Sequence, residues 1–453
     1  MFEEIIDESE KQLNRKSFDQ RFWIMLAVFY LLFVIRNVLS FEFPIVIYLG
    51  WIAVMAVLFN DDEIKGLVIS FIPLSPGFQI KYAVLVCAVI LVIKYYNRIR
   101  IPTFTALLLA VMVWELFHFS IGSFSATEWL RGFSELIGVM VVICIPAREK
   151  IDITTFTRIL GISSAVAFLI LIIVTVKSKD TSLISLIQDG FRFGVSDDSQ
   201  EAFRMNYNAN GLGFLCNITI AALLLNFELK KAKIIDGVLI AFCILVGSLT
   251  VSRTFILCLA ITVFLYIVLQ RKPIDQRLKT IFILLLVCAV ALVIVWRVSP
   301  GIIENYTDRF SEEDVTGGRS YLFEFYNRFI LSSPWVFLFG VGIQDISGKA
   351  LIMMGETVFV PHNGYQQIVI AWGIIGFVLM FALITCIIVN AKKRNSSIPA
   401  IAYLPFVLLL VNIMAGQFVT AGSKVLSLAL IYEILVNAVY PKVETEEEKD
   451  GTE

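Results

Sequence analysis

Histidine is nearly absent from this chain, with only His118 and His362 among 453 residues. There is also no excess of either charge: 37 basic and 38 acidic side chains leave a net charge of −1. A nucleic-acid partner demands a basic surface, and this composition does not supply one. The cysteines (Cys87, Cys144, Cys216, Cys243, Cys258, Cys288 and Cys386) all fall in apolar stretches without C-x-x-C spacing. That excludes a disulfide framework and a thiolate metal site, and leaves small buried hydrophobes. The acidic runs Asp197-Asp198 and Glu312-Glu313-Asp314 lack D-x-D spacing, so no metal and no other cofactor is expected. No low-complexity linker divides the chain and no internal repeat stands out. The start, M-F-E-E-I-I-D-E-S-E-K, is polar and acidic, which predicts no cleavable signal peptide.

What the chain has instead is apolar sequence. Hydrophobic residues make up 58% and charged residues 17%, in recurrent runs of about 17–22 residues, the length that crosses a bilayer. The expectation is an all-α polytopic membrane protein with about 14 transmembrane helices. They are read near 22–40, 44–59, 64–79, 82–97, 103–119, 129–145, 156–176, 211–227, 234–250, 253–270, 280–297, 364–390, 398–416 and 424–440. The third is short, is interrupted by Pro73 and Pro76, and could be a re-entrant piece. Basic residues decide orientation. With the N-terminus in the cytoplasm, the inner connections carry Lys65, the Lys94–Arg100 and Arg148–Lys150 groups, Lys230, Lys231 and Lys233, the Arg271–Lys279 group, and Lys392 to Arg394. The outer short connections hold only Lys81, Arg253 and Lys424, a positive-inside pattern that requires the third segment to span. The chain then divides into a cytoplasmic segment 1–21, a transmembrane domain 22–440 and an acidic cytoplasmic tail 441–453.

Two connections, 177–210 and 298–363, are too long for hairpins and fall on the outer face. Within the second, Tyr321–Ile330 has helical apolar spacing and reads as an amphipathic surface helix. Three helices begin on this face with polar starts: one after N-Y-N-A-N-G with Asn210 as cap, one at Ser252-Arg253, one at His362-Asn363. Gln366 stands where the capping-box partner of Asn363 belongs. Helix starts present free N–H groups and partial positive charge, a seat for phosphate. Around these starts lie Arg192, Arg204, Arg319 and Arg328, forked donors that as a set suit a diphosphate, and Arg253 stands out at a tight outer turn where positive charge is disfavoured. Arg204, Arg309 and Arg328 read individually as solvated or headgroup-facing residues. Arg36, Glu115, His118, Arg131 and Glu135 lie at membrane depth, where ionisable groups are expensive; a structural ion-pair network explains them as well as catalysis does.

The ordered set R-F-G, N-A-N-G-L-G, S-R-T-F, G-R, G-V-G, H-N-G-Y and W-G-I-I-G, spread over about 190–380, resembles the superfamily of O-antigen ligases and Wzy-type O-antigen or capsular polysaccharide polymerases. The resemblance implies a GT-C-like membrane glycosyltransferase that needs no metal, with two long outer loops carrying short surface helices. It implies that His362 activates the acceptor hydroxyl and that Arg253, with Arg192 and Arg319, binds a lipid-linked diphosphate. Asn208 or Asn210 would match the family's asparagine, and Asn363 and Tyr365 would support the histidine. The implied reaction is polymerisation of undecaprenyl-diphosphate-linked repeat units at the outer face of a bacterial plasma membrane, alongside a flippase and a chain-length regulator. The alternatives are a ligase using another acceptor and a flippase. Flippases and other transporters favour internal repeats, short loops and helices broken at mid-membrane.

Overall fold

A computed structural model describes residues 18–75 apart from 40 and 42, 80–118 apart from 102, 126–145, 151–194, 207–279, 299–311, 319–356 and 359–440 apart from 419–421, with isolated positions 282, 293 and 297. The eleventh expected segment, 280–297, therefore lies almost wholly outside the described residues, as do the terminal segments 1–17 and 441–453. Every other expected segment coincides with a helix, and no strand occurs among the described residues.

The helices are α1 (Gln20–Val38), α2 (Ile45–Leu58), α3 (Asp61–Leu74), α4 (Ile80–Tyr95), α5 (Thr103–His118), α6 (Ala126–Cys144), α7 (Ile153–Lys179), the short α8 (Leu183–Gln188), α9 (Ala209–Glu228), α10 (Ile234–Leu249) and α11 (Arg253–Leu269). The second long connection holds α12 (Pro300–Ser311), α13 (Arg319–Leu331), α14 (Pro334–Phe339) and α15 (Ile346–Met354). The chain ends in α16 (Gly364–Arg394), α17 (Leu404–Met414) and α18 (Gly422–Asn437). By length and composition α1, α7, α9 and α16 can each cross a bilayer, and several shorter apolar helices accompany them. This is a multi-pass membrane protein.

Two helices form the centre. One is α9, packed against α7, α10, α11 and α17. The other is α3, enclosed by α4, α7 and α18 and buried along its whole length. The third segment, the weakest in the sequence, is thus the most enclosed in the fold. Its start is fixed by a capping box, with the Asn60 side chain accepting from the Glu63 N–H at 2.9 Å and the Glu63 carboxylate accepting from the Asn60 N–H at 2.9 Å. Pro73 falls in the last turn, where its carbonyl accepts from the Tyr207 hydroxyl at 2.7 Å. Lys65 is no loop residue: it lies within α3, buried against Glu433 of α18 at 2.8 Å. Lys424 likewise belongs to α18, where its ammonium donates to the Asn412 carbonyl at 3.0 Å. Both leave the loop count that supports the orientation.

The longest helix is broken. Gly373 of α16 has φ +65°, outside helical geometry. The break diverts the carbonyls that would bond the following turn, and outside donors take them. Ile370 accepts from the Val341 N–H at 2.9 Å, Ala371 from the Gly342 N–H at 2.7 Å, and Trp372 from the Trp114 indole at 3.1 Å. The approach is too close for side chains: a Cβ on Gly373 would lie 2.2 Å from the Leu338 carbonyl oxygen, and one on Gly340 2.4 Å from that of Ala371. The G-V-G and W-G motifs are the two sides of this joint. A helix broken within the membrane domain is a trait expected of transporters, and this chain has one.

Candidate functional site

Where the first turns of α9, α11, α13 and α16 converge they line a cavity of about 480 Å³. Asn210, Arg253, Thr254, Arg319, Ser320, His362 and Asn363 come from these helix starts or the residues beside them. Arg309 enters from α12, and Met414 and Ala415 close the floor from the end of α17. No carboxylate lines the cavity among the described residues.

Three of these starts are set locally. Asn208, not Asn210, caps α9, accepting from the Gly211 N–H at 2.6 Å. That frees Asn210 to accept from the Ser252 hydroxyl at 2.8 Å, which joins the starts of α9 and α11. Ser252 caps α11 by accepting from the Phe255 N–H at 3.3 Å, so Arg253 is the first helical residue, as its spacing predicts. Asn363 caps α16, accepting from the Tyr365 and Gln366 N–H groups at 3.0 and 3.2 Å. Gln366 does not complete a capping box. Its amide donates to the Phe323 carbonyl at 2.9 Å and to Asn327 at 3.0 Å, pinning α13 to α16. The Tyr365 hydroxyl donates to the Leu410 carbonyl at 3.0 Å, so it anchors α16 to α17 away from the cavity.

Arg319 has two attachments. It donates to the Ala415 carbonyl at 3.2 Å, at the electronegative end of α17, while its side chain lines the cavity. Arg192 stands behind the wall. Its Nε donates to the Thr250 carbonyl at 2.9 Å, the neighbouring Phe193 N–H bonds Leu249, and the Tyr306 hydroxyl bonds Ser248 at 2.9 Å. The turn that presents Arg253 is thus held by residues of both long connections, and R-F-G is one of its fastenings. Burial, and then the neighbouring Arg309, Arg319 and Arg253, lower the Arg192 pKa to about 10. Burial followed by Arg309 and Arg253 lowers that of Arg319. Both remain protonated at neutral pH. His362 lies open to the cavity, and its pKa is pushed below the usual histidine value, first by desolvation and then by Arg319. The neutral imidazole is therefore the resting form.

Of the residues expected from sequence, His362, Arg253, Arg319, Asn210 and Asn363 meet at this cavity, and Asn208, Arg192 and Tyr365 act behind it. Arg309, expected to be solvated, instead lines the wall, and its Nε is buried without a hydrogen-bond partner among the described residues. Its sequence signal, one arginine on a polar helix, does not distinguish the two. Arg204, both acidic runs, Gly317-Gly318 and the side chain of Arg131 lie outside the described residues.

Glu115 and His118 do not pair with each other. His118 bonds the carbonyls of Trp114 at 3.0 Å and Phe339 at 2.7 Å. Glu115 accepts from the Ile343 N–H at 3.0 Å and from the Trp372 indole. Together they clamp the Gly340–Gly342 segment onto the break in α16, a structural use of intramembrane charge.

Residues 237–381 match the family model described as O-antigen ligase. No curated protein matches the chain. The matched stretch contains Arg253, Arg309, Arg319 and His362, and the resemblance read from the motifs holds over it.

Proposed function

We propose, taking the O-antigen ligase match as premise, that this cavity binds the diphosphate of a lipid-linked oligosaccharide and transfers the glycan to a sugar hydroxyl. The observation that carries the reading is the convergence of His362, three arginine side chains and four helix starts on one cavity free of carboxylates among the described residues. Helix starts and guanidinium groups both favour a dianion. The anomeric carbon of the donor glycan would be attacked by the acceptor oxygen. Its bond to the phosphate oxygen breaks, the diphosphate leaves on its lipid, and His362 takes the hydroxyl proton. Arg253 and Arg319 neutralise charge as it collects on the leaving oxygens, the step at which fixed cations accelerate most. The reaction balances without an added redox partner.

The acceptor is taken to be a second lipid-linked unit, which makes the protein a polysaccharide polymerase acting on undecaprenyl-diphosphate-linked repeat units. The cavity would face the outside of a bacterial plasma membrane, served by a flippase and a chain-length regulator. A ligase differs only in acceptor. Purified protein given a lipid-linked repeat unit separates the two: a ladder of products supports the polymerase, and a single transfer to a different lipid acceptor supports the ligase. No glycan transfer to any hydroxyl, with intact binding of the lipid diphosphate, would refute both. Orientation has its own check. A cysteine replacing Ser311 is expected to react with an impermeant thiol reagent in intact cells, and labelling only after lysis reverses the assignment.

A further inference from the structure

The second long connection is not uniformly a water-facing loop. Helix α13 is mixed: Glu324 and Arg328 are exposed and Phe325, Tyr326 and Phe329 are fully buried in the protein, while Tyr321, Phe323 and Leu331 are exposed. The protein therefore covers one apolar stripe of this helix and leaves another open. Helices α14 and α15 expose apolar side chains without exposed charge among them. On α15 the one charged side chain, Lys349, turns inward and donates to the Val341 carbonyl at 2.5 Å, close to Glu115. Leu351, Ile352 and Met353 point out, Ile352 with 84% of its surface exposed. On α14 Val336 is buried while Trp335, Phe337 and Leu338 are exposed, Trp335 to 54%. A charge inside and large apolar groups outside is the polarity of a surface solvated by hydrocarbon rather than water.

The patch also continues a lipid-facing surface. Helix α14 packs on α16 at the Gly373 break, below which Ile375, Val378 and Phe381 are exposed. Its last residue, Phe339, packs on Trp114 of α5, whose outer side carries exposed Leu109, Val113, Leu116 and Phe117. We propose that α14 and α15 lie in the outer part of the bilayer as a membrane-immersed shelf, with lipid chains and not water, a second copy or another protein covering Trp335, Phe337, Leu351 and Ile352. Trp335 then sits where indoles collect, at the boundary of headgroups and chains. The shelf joins the break in α16, which leads directly to Asn363 and the cavity. The anion site is therefore carried at the edge of the bilayer, within reach of a headgroup diphosphate.

The inference does not depend on the proposed reaction, and its test uses no substrate. Single substitutions Ile352→Cys and, as a second reading of the same surface, Phe337→Cys are made in the full chain without native cysteines, reconstituted in phosphatidylcholine vesicles. Glu304→Cys on exposed α12 serves as the water-facing reference and Val378→Cys on α16 as the lipid-facing one. A charged maleimide present on both sides of the bilayer is expected to label the Ile352→Cys and Phe337→Cys variants at least about tenfold more slowly than Glu304→Cys, because a charged reagent does not enter hydrocarbon. A bimane label at position 352 or 337 is expected to be quenched by brominated lipid chains as strongly as one at position 378. Labelling as fast as at position 304 overturns the proposal. Slow labelling without quenching overturns it too, and a disulfide between two copies at position 352 would then assign the patch to a dimer.

Discussion

The two ends of the helix bundle treat charge in opposite ways. At the end carrying the start of α3, cations are matched to carboxylates: Lys65 to Glu433 at 2.8 Å, Arg98 to Asp61 at 2.8 Å, and Arg158 to Asp236 at 2.9 Å, the last held by two hydrogen bonds. At the cavity end, Arg192, Arg309 and Arg319 meet carbonyls, one another and Arg253, and none of the three forms an ion pair among the described residues. A matched pair costs its desolvation once and is finished as a structural element. Like charges gathered around a cavity with no carboxylate among its described lining residues are unfavourable until an anion arrives. The contrast sets a charge-paired structural end against the end where the proposed anion would bind.

Three changes break or sharpen this contrast. The largest effect is expected at His362. His362→Gln keeps a polar side chain beside the cap, so protein level and lipid-diphosphate binding are expected to persist while turnover falls about 10²–10⁴-fold, the usual loss of a general base. Retention of more than about a tenth of the rate per molecule would exclude that role. At the opposite end, Glu433→Gln strands Lys65 in a buried site, and breaking such a pair costs about 3–5 kcal/mol. The readout is thermal stability and protein level, with transfer per folded molecule unchanged. A change in KM without loss of stability would mean that the two ends are not separate. Smaller is Arg253→Lys, which keeps the charge and loses the fork. A lysine at a forked site is expected to weaken donor binding by about 1–2 kcal/mol, or roughly tenfold, read as a higher KM. Normal KM would leave charge alone as the requirement.

The pH profile sharpens the same point. Because desolvation and Arg319 lower the His362 pKa, the neutral form persists to lower pH than for an ordinary histidine. The acid limb of kcat/KM, which reports the free enzyme, is expected below about pH 6.5, where an unperturbed histidine titrates. A bound diphosphate favours the imidazolium, so the acid limb of kcat should lie at higher pH than that of kcat/KM. Replacing Arg319 should shift the kcat/KM limb upward.

Local signals were legible in the sequence. Apolar runs located the helices of the expected spans that are described but not α8, α12, α14 or α15, Ser252 and Asn363 cap as their positions suggest, and the motif order led to residues that meet at the cavity. What was hidden is what long-range contacts decide. Nothing near Asp61–Leu74 announces that three other helices enclose it, because α7 and α18 reach it from distant parts of the chain. Lys65 and Lys424 look like loop charges because burial depends on partners 368 and 12 residues away, Glu433 and Asn412. Gln366 satisfies the spacing of a capping box, yet α13 offers it better partners. The glycines of W-G-I-I-G and F-G-V-G occur too far apart in sequence to suggest that each makes room for the other.

The joint at Gly373 has a consequence for how the chain is assembled. As a continuous 31-residue stretch, α16 can enter the bilayer straight, with its carbonyls bonded along its own length. Opening it at Gly373 would expose the carbonyls of Ile370, Ala371 and Trp372 to hydrocarbon unless Val341, Gly342 and Trp114 were already in place. Those donors come from two separate parts of the chain, α5 and the stretch after α14, both made earlier and brought back against α16. Bending at Gly373 is thus coupled to docking of the segments that supply those donors.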